Sequence, residues 1–513
     1  MTNVKNVAKY SAIITGILII SKGIGFIREF VIAVTLGATR QSDIFKIATT
    51  MPNVFLSCIS AVLVTAFIPI FASVKEDREK ADTFFNNVFN FILIICIVLS
   101  ILGVAGSPIL IKLFAGGFKG NDFNSAVFMT KITMPSIIFL ALSGLYTGYL
   151  QSYGVYLQPA MTGIISNIVI IVGLVCFSKY GITAAVIAFL ISSIAQMYIQ
   201  RPFMHGYKYK FFINIHDKNL KRIVILGLPM FINNIVSQVN LMVDKNFASR
   251  LVAGSISVVD YASKLSTIIN QVFIVSITTV LYPMLTEKFV KKDKEGFESL
   301  FNKTVNLVIL VAIPMIVGMI ILSTPLVKIF LEHGKFDANA TAITSLCLKY
   351  LAVSTLGYAF LDSLSKIFFS ANETVIPMIN GFIQIVINIV LIITLVPKMG
   401  VSGLALANTL SSLIIALLMF IELRYKLPGL KYKKVIVIFI KVVLASAVMG
   451  VILELLFKLL NSLFLNNSTL VLALKVIIVS VVAVLIYIIN LKLLKVDELN
   501  SVISFKFLKK RSN

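Results

Sequence analysis

The sequence predicts an all-α polytopic membrane protein of about fourteen transmembrane helices, with two six-helix lobes related by a parallel internal repeat and a C-terminal two-helix hairpin. Three observations carry this. Of 513 residues, 58% are hydrophobic and only 13% are charged, too few polar side chains to coat a soluble globule. The apolar stretches exceed the roughly 20 residues a helix needs to cross the hydrocarbon core, and they lack the two-residue alternation of barrel strands. Segments about 215 residues apart also echo one another.

Hydropathy places the spans near 8–36, 44–73, 84–106, 124–152, 158–178, 181–201, 219–250, 256–287, 300–323, 338–370, 374–396, 400–424, 433–460 and 468–493. The first follows a basic start, MTNVKNVAKYS, without a small-residue cleavage site, and reads as a retained helix. Alternate connections hold the bases: Lys75, Arg78 and Lys80; Arg201, Lys208, Lys210, Lys218, Lys221 and Arg222; Lys288, Lys291, Lys292 and Lys294; Arg424, Lys426, Lys431, Lys433 and Lys434. By the positive-inside rule these loops, both termini and the tail FKFLKKRSN are cytoplasmic, so the number of spans is even. The net charge of +24 is therefore topogenic and directed at membrane lipids, not at nucleic acid.

The repeat is explicit. SPILIKLFAGGFKGND (107–122) is echoed by TPLVKIFLEHGKFDAN (324–339), TAFIPIFA (65–72) by TVLYPMLT (279–286), and the interval Pro159 to Gly181 by Pro377 to Gly400. Six helices per repeat restore the original orientation, so the halves 1–217 and 218–430 are parallel repeats with a substrate cleft expected between them. Residues 431–513 hold the two accessory helices and the basic tail.

Charges inside spans point to what the cleft handles. Lys22, Arg28 and Glu29 stand mid-span, where each charge costs roughly 2.5–3.5 kcal/mol to insert, so they should face a bundle interior or a wet path. Lys22 and Glu29, seven apart, are nearly eclipsed, with Arg28 about 100° round the helix, and Gly23 and Gly25 permit a bend beside them. They either fasten helices as an ion pair or serve a substrate; because a buried pair seldom outperforms an apolar replacement, a substrate role is favoured. In the second half, Asp260 precedes Lys264 and Asp362 precedes Lys366 by four residues, the favourable order for helical ion pairs. Lys264, on the repeat counterpart of the second span, is expected to join Lys22 and Arg28 in a cationic patch suited to a pyrophosphate. Asp43 and Asp244 are the acids for coupling to an ion, although Asp43, in ATRQSD, also reads as a helix N-cap. Ser237, Asn240 and Asp244 form one polar stripe whose hard oxygens suit sodium, or a proton on Asp244; a buried aspartate satisfied by amides or by Lys264 is the structural alternative.

Other chemistries find no support. There is no GxxxxGK[ST] phosphate loop, and His205, His216 and His333 fall singly in loops. Cys58, Cys96, Cys176 and Cys347 stand alone in apolar stretches and read as packing. Asn466 and Asn467 precede Ser and Thr in a short loop, a sequon of little weight. No nucleophile and base set stands out, so the expectation is a transporter, not an enzyme, without a cofactor beyond a coupling ion.

GFIREFVIAVTLGATRQSDIFKIATTMPN (25–53), AFIPIFA (66–72), QVNLMVDKNFASRLVAGSISVVDYASKLS (238–266), FLEHGKFDANAT (330–341) and ANETVIPM (371–378) resemble the MurJ/MviN family of lipid II flippases. That resemblance implies the multidrug/oligosaccharidyl-lipid/polysaccharide exporter fold, with a groove for a lipid tail formed by the last two helices. It implies export of an undecaprenyl-pyrophosphate-linked peptidoglycan precursor across a bacterial plasma membrane by alternating access, for cell-wall biosynthesis and cell shape. Arg28 falls on the family's cavity arginine, Asp43 on its first-loop aspartate, and Asp244 on an acid resembling a sodium ligand; Lys22 and Lys264 stand where the family usually has arginines. The chain departs from the pattern at PNVFLSCISAVL (52–63), which lacks a basic pair and glutamate, and at Asp362, where a lysine is common. The alternatives are a flippase for another polyprenyl-linked oligosaccharide, a cation-coupled drug or metabolite exporter, and a scaffold among cell-wall synthesis proteins.

Overall fold

The computed structural model describes residues 4–204, 206–269, 274–427, 430, 432–464 and 468–499. His205, Lys431, the Asn466 and Asn467 sequon and the tail 505–513 lie outside the described residues. Those described form helices and turns, without a strand among them. In chain order the α-helices are α1 (Val4–Leu36), α2 (Arg40–Val62), α3 (Ile68–Val74), α4 (Arg78–Ala105), α5 (Ser107–Phe114), α6 (Gly120–Thr133), α7 (Ser136–Ser152), α8 (Leu157–Cys176), α9 (Ile182–Tyr198) and α10 (Lys218–Ser249). They continue with α11 (Ser255–Ile269), α12 (Val275–Val290), α13 (Lys294–Ile321), α14 (Ser323–Leu331), α15 (Ala338–Ser370), α16 (Val375–Met399), α17 (Val401–Lys426), α18 (Lys433–Leu463) and α19 (Thr469–Leu493).

Ten stretches among the described residues are both long and apolar enough to cross a membrane. The charge-bearing α1, α2 and α10, of 33, 23 and 32 residues, also have the length for about 30 Å of hydrocarbon. Several apolar stretches are interrupted rather than continuous. The span expected at 44–73 is α2, a π-helical turn at Leu63–Phe67 and α3, whose first turn holds Pro69, a residue that cannot donate to the preceding turn. The stretch 124–152 likewise divides into α6 and α7 beside Pro135.

The chain forms two compact units, residues 1–257 with 333–337, and residues 258–332 with 338–513. In the first, α1 lies along α8, α8 along α9, and α2 packs against α6, α7 and α10. An aromatic cluster that includes Phe67, Phe71, Phe85 and Tyr149 fills the space between α4, α7 and the π-helical turn. In the second unit α15 packs on α17, α13 and α12, and the α18–α19 hairpin is fixed to α13, where Tyr487 donates to the Leu310 carbonyl at 2.7 Å. Cys58, Cys96 and Cys347 are buried and Cys176 is exposed; all four are free thiols.

Candidate functional site

Small residues bring α1 and α8 together. A Cβ on Gly25 would meet Asn167 Nδ2 at 3.2 Å, and one on Gly163 would collide with Ser21 Oγ at 2.5 Å. Through that opening Asn167 donates to the Ser21 carbonyl at 3.2 Å and accepts from Arg28 Nη1 at 2.9 Å. Arg28 Nη2 donates to Glu29 Oε1 at 2.6 Å, and from α2 Lys46 Nζ donates to Glu29 Oε2, also at 2.6 Å. Glu29 and Lys46 are buried, whereas the Arg28 side chain keeps 28% of its surface accessible and its Nε has no hydrogen-bond partner. Two cations therefore share one carboxylate, and Arg28 is the one whose side chain is partly accessible, although its unpartnered Nε is itself buried.

Only part of this was anticipated. Glu29 does take an ion pair with Arg28, one of the two partners the sequence offers, and a second with Lys46, while the other offered partner, Lys22, is exposed nearer the start of α1. Lys46 and Asn167 were missed. The signal for Lys46 was a lysine set in the apolar run DIFKIA, the same reasoning that singled out Lys22.

Asp43 does not cap its own helix. Thr39 does that, accepting from Ser42 N at 3.5 Å. The Asp43 carboxylate, wholly buried, reaches the turn that opens α11: Oδ2 accepts from Gly254 N at 2.7 Å, and Oδ1 accepts from Ser257 N at 2.9 Å and Ser257 Oγ at 2.8 Å. Arg40 Nη1 lies 3.6 Å from Oδ2, and Arg40 Nε 3.3 Å from Asp122.

On α10, Asp244 and Asn240 are half-buried and Ser237 is exposed. Their carboxylate, amide and hydroxyl oxygens repeat at helical spacing, the donor set a small hard cation takes. Among the described residues no group of three or more His, Cys, Asp or Glu side chains could hold a metal, so a cation here would need such mixed oxygens. The next residues tie α10 into the first unit: Lys245 Nζ donates to Thr50 Oγ1 at 2.8 Å, and Asn246 Nδ2 to the Leu113 carbonyl at 2.7 Å.

In the second unit Lys264 pairs with Asp260 at 3.0 Å, both partly exposed. Lys366 Nζ lies 2.9 Å from Asp362 Oδ2 and donates to Thr278 Oγ1, which donates to the same Asp362 oxygen at 2.8 Å. The acid-first spacing thus forms both helical ion pairs.

The profile of a family described as lipid II flippase MurJ matches residues 32–475. A probable lipid II flippase MurJ of Treponema pallidum (strain Nichols) is 25% identical over 475 residues, covering 87% of this chain and 88% of that protein. Another, from Buchnera aphidicola subsp. Acyrthosiphon pisum (strain APS), is 28% identical over 447 residues, covering 85% and 87%. Among solved structures, a lipid II flippase MurJ in an inward closed conformation superimposes with a TM-score of 0.80 at 27% identity, over 94% of this chain and 100% of that one. An inward-facing multidrug resistance MATE family transporter of the MOP superfamily matches in fold, with a TM-score of 0.68 at 15% identity over 80% and 95%.

Proposed function

The chain belongs to the lipid II flippase MurJ family, and from that premise we propose that it moves lipid II from the inner to the outer leaflet of a bacterial plasma membrane. Arg28 is the contact for the pyrophosphate of the substrate. The observation that carries this assignment is the Arg28 side chain, 28% accessible, beside a carboxylate that Arg28 shares with Lys46. Planar N–H donors match phosphate oxygens, and water-poor surroundings strengthen the attraction. Lys22, exposed on the same helix, adds to the positive potential that draws an anionic head group. Asp244 and Asn240 take the coupling ion, sodium or a proton. A coupling ion shifts a conformational equilibrium only through different affinity for the two states, which a half-buried carboxylate on a helix can provide.

The test is complementation of a bacterium depleted of its essential lipid II flippase. Growth should be restored by the wild-type chain and lost with Arg28→Ala, with the variant present in the membrane at near-normal level. Failure of the wild type would sink the lipid II assignment, and activity of Arg28→Ala would sink the role of Arg28. Orientation is tested separately: a cysteine replacing Lys119 should react with an impermeant thiol reagent from outside, one replacing Lys291 should not, and the reverse pattern would overturn the cytoplasmic placement of both termini.

A further inference from the structure

We propose that a groove between α8 and α9, within the first unit, binds an anionic phospholipid, with one acyl chain in the groove and the phosphate of its headgroup at Lys179. The groove encloses about 620 Å³. It exists because the two helices meet through small residues. A Cβ on Gly173 would strike that of Ala188 at 2.5 Å, and the buried Ala184 and Ala188 form the floor beside it. Ile168, Val172, Phe177, Tyr180, Ile187 and Ile191 rise around that floor and stay 43–59% exposed. Of the lining residues only Tyr180 and Thr183 carry a polar side-chain atom, so the walls suit a hydrocarbon chain.

Depth and charge select the occupant. α8 and α9 both belong to stretches long and apolar enough to cross a membrane, so a groove on their outer faces opens to lipid. From Ile168 to the end of α8 at Cys176 is about 12 Å at 1.5 Å per residue, within the roughly 15 Å of a single leaflet. At about 30 Å³ for each water-sized group, the volume takes roughly twenty such groups, the content of one acyl chain. At the mouth, the turn Ser178–Tyr180 follows directly on the span and sets Lys179 at the membrane boundary, its Nζ 5.0 Å from the centre of the Tyr180 ring. An exposed ammonium there meets a headgroup phosphate and favours a lipid of net negative charge over a zwitterionic one.

The internal repeat supplies a natural comparison. With Gly181 matched to Gly400, each directly before a helix, Lys179 corresponds to Lys398, which is likewise exposed, whereas Gly173 corresponds to Ile392, a wholly buried side chain. The second repeat thus keeps the lysine and fills the position that the first leaves open.

The chain contains no tryptophan, so one introduced tryptophan reports on one place. The full-length chain is reconstituted in phosphatidylcholine vesicles with graded amounts of dibrominated phosphatidylglycerol or dibrominated phosphatidylcholine, whose bromines quench tryptophan fluorescence on contact. Phe177→Trp, in the groove, should prefer the anionic lipid by about fivefold in relative affinity, while Ile393→Trp, exposed on α16, should show less than about twofold. Added to Phe177→Trp, Lys179→Gln should abolish the preference and Lys179→Arg should keep it. Val172→Phe with Thr183→Phe, which fills the groove from both walls, should reduce quenching by either lipid. Equal quenching by the two lipids at Phe177→Trp, the same preference at Ile393→Trp, or a preference that survives Lys179→Gln would overturn the proposal. So would unchanged quenching in the filled groove, and if that double variant does not fold, Thr183→Phe alone decides by the same reading.

Discussion

Gly181 and Gly400 hold nearly the same rare backbone conformation, φ 54° with ψ −126° and φ 57° with ψ −132°, each immediately before a helix, α9 and α17. Only glycine enters this region without strain. No atom crowds Gly400, and the nearest to Gly181 is Gln41 Oε1 at an ordinary 3.5 Å, so an added methyl is opposed by backbone conformation alone. Gly181→Ala and Gly400→Ala should each cost about 1–3 kcal/mol and lower the unfolding temperature in detergent. Gly381→Ala, inside α16 with equally open surroundings, should be neutral or stabilising by up to about 1 kcal/mol. Equal effects at all three positions would show that the two turns are not conformationally strained.

This pair also shows what a sequence can carry. Gly181 and Gly400 were legible because a glycine after an apolar run, repeated at one period, marks a backbone requirement, and SPILIKLF and TPLVKIFL became the short helices α5 and α14 for the same reason. The π-helical turn at Leu63–Phe67 was not legible, since hydropathy averages over a turn's worth of residues and cannot register a local change of hydrogen-bond pattern. The site divides in the same way. Arg28 and Glu29 announce themselves by charge in an apolar run, but Lys46 meets Glu29 from 17 residues away and Asn167 meets Arg28 from 139 away, separations that only helix packing closes.

Asp77 and Asp293 repeat as a pair too, capping α4 and α13 by accepting from Lys80 N at 3.2 Å and Gly296 N at 2.8 Å. Hydrogen bonds from the Lys80 side chain and from Lys288, followed by the backbone donors, hold both carboxyls below their usual 3.8. A folded pKa below the unfolded one gives stability that is present above about pH 4 and is lost as pH falls through the lower, folded value. Asp293→Asn should therefore lower the unfolding temperature at pH 7, and the difference from wild type should shrink below about pH 4. A difference independent of pH would mean that the charge plays no part.

Three buried asparagines on α4 replace a strand partner for the connection 207–214. Asn87 exchanges two hydrogen bonds with the Asn214 backbone at 2.7 and 3.0 Å, Asn90 donates to the Phe212 carbonyl at 3.1 Å, and Asn86 accepts from Tyr207 Oη at 2.7 Å. Asn87→Ala removes both partners of the Asn214 backbone, and because Asn214 is exposed its N–H and C=O can turn to water, so the cost should be only about 1 kcal/mol. Hydrogen exchange of residues 208–214 should accelerate, with little change in α8 and α9. Unchanged exchange in the connection would show that the asparagines do not hold it.

Asp43 is expected to act through the 254–257 turn rather than by touching substrate, because its carboxylate accepts from two backbone N–H groups and one hydroxyl within the protein. Asp43→Ala strands the N–H groups of Gly254 and Ser257 in a buried place, at about 1–3 kcal/mol each. Asp43→Asn keeps one acceptor oxygen and should fall between alanine and wild type. The measurement is hydrogen exchange at residues 254–257 alongside pyrophosphate affinity. Exchange should rise in the order wild type, Asn, Ala, with affinity following it only as far as the turn loosens. A loss of affinity with unchanged exchange would place Asp43 on the substrate after all, because a carboxylate still clamping the turn could not explain it.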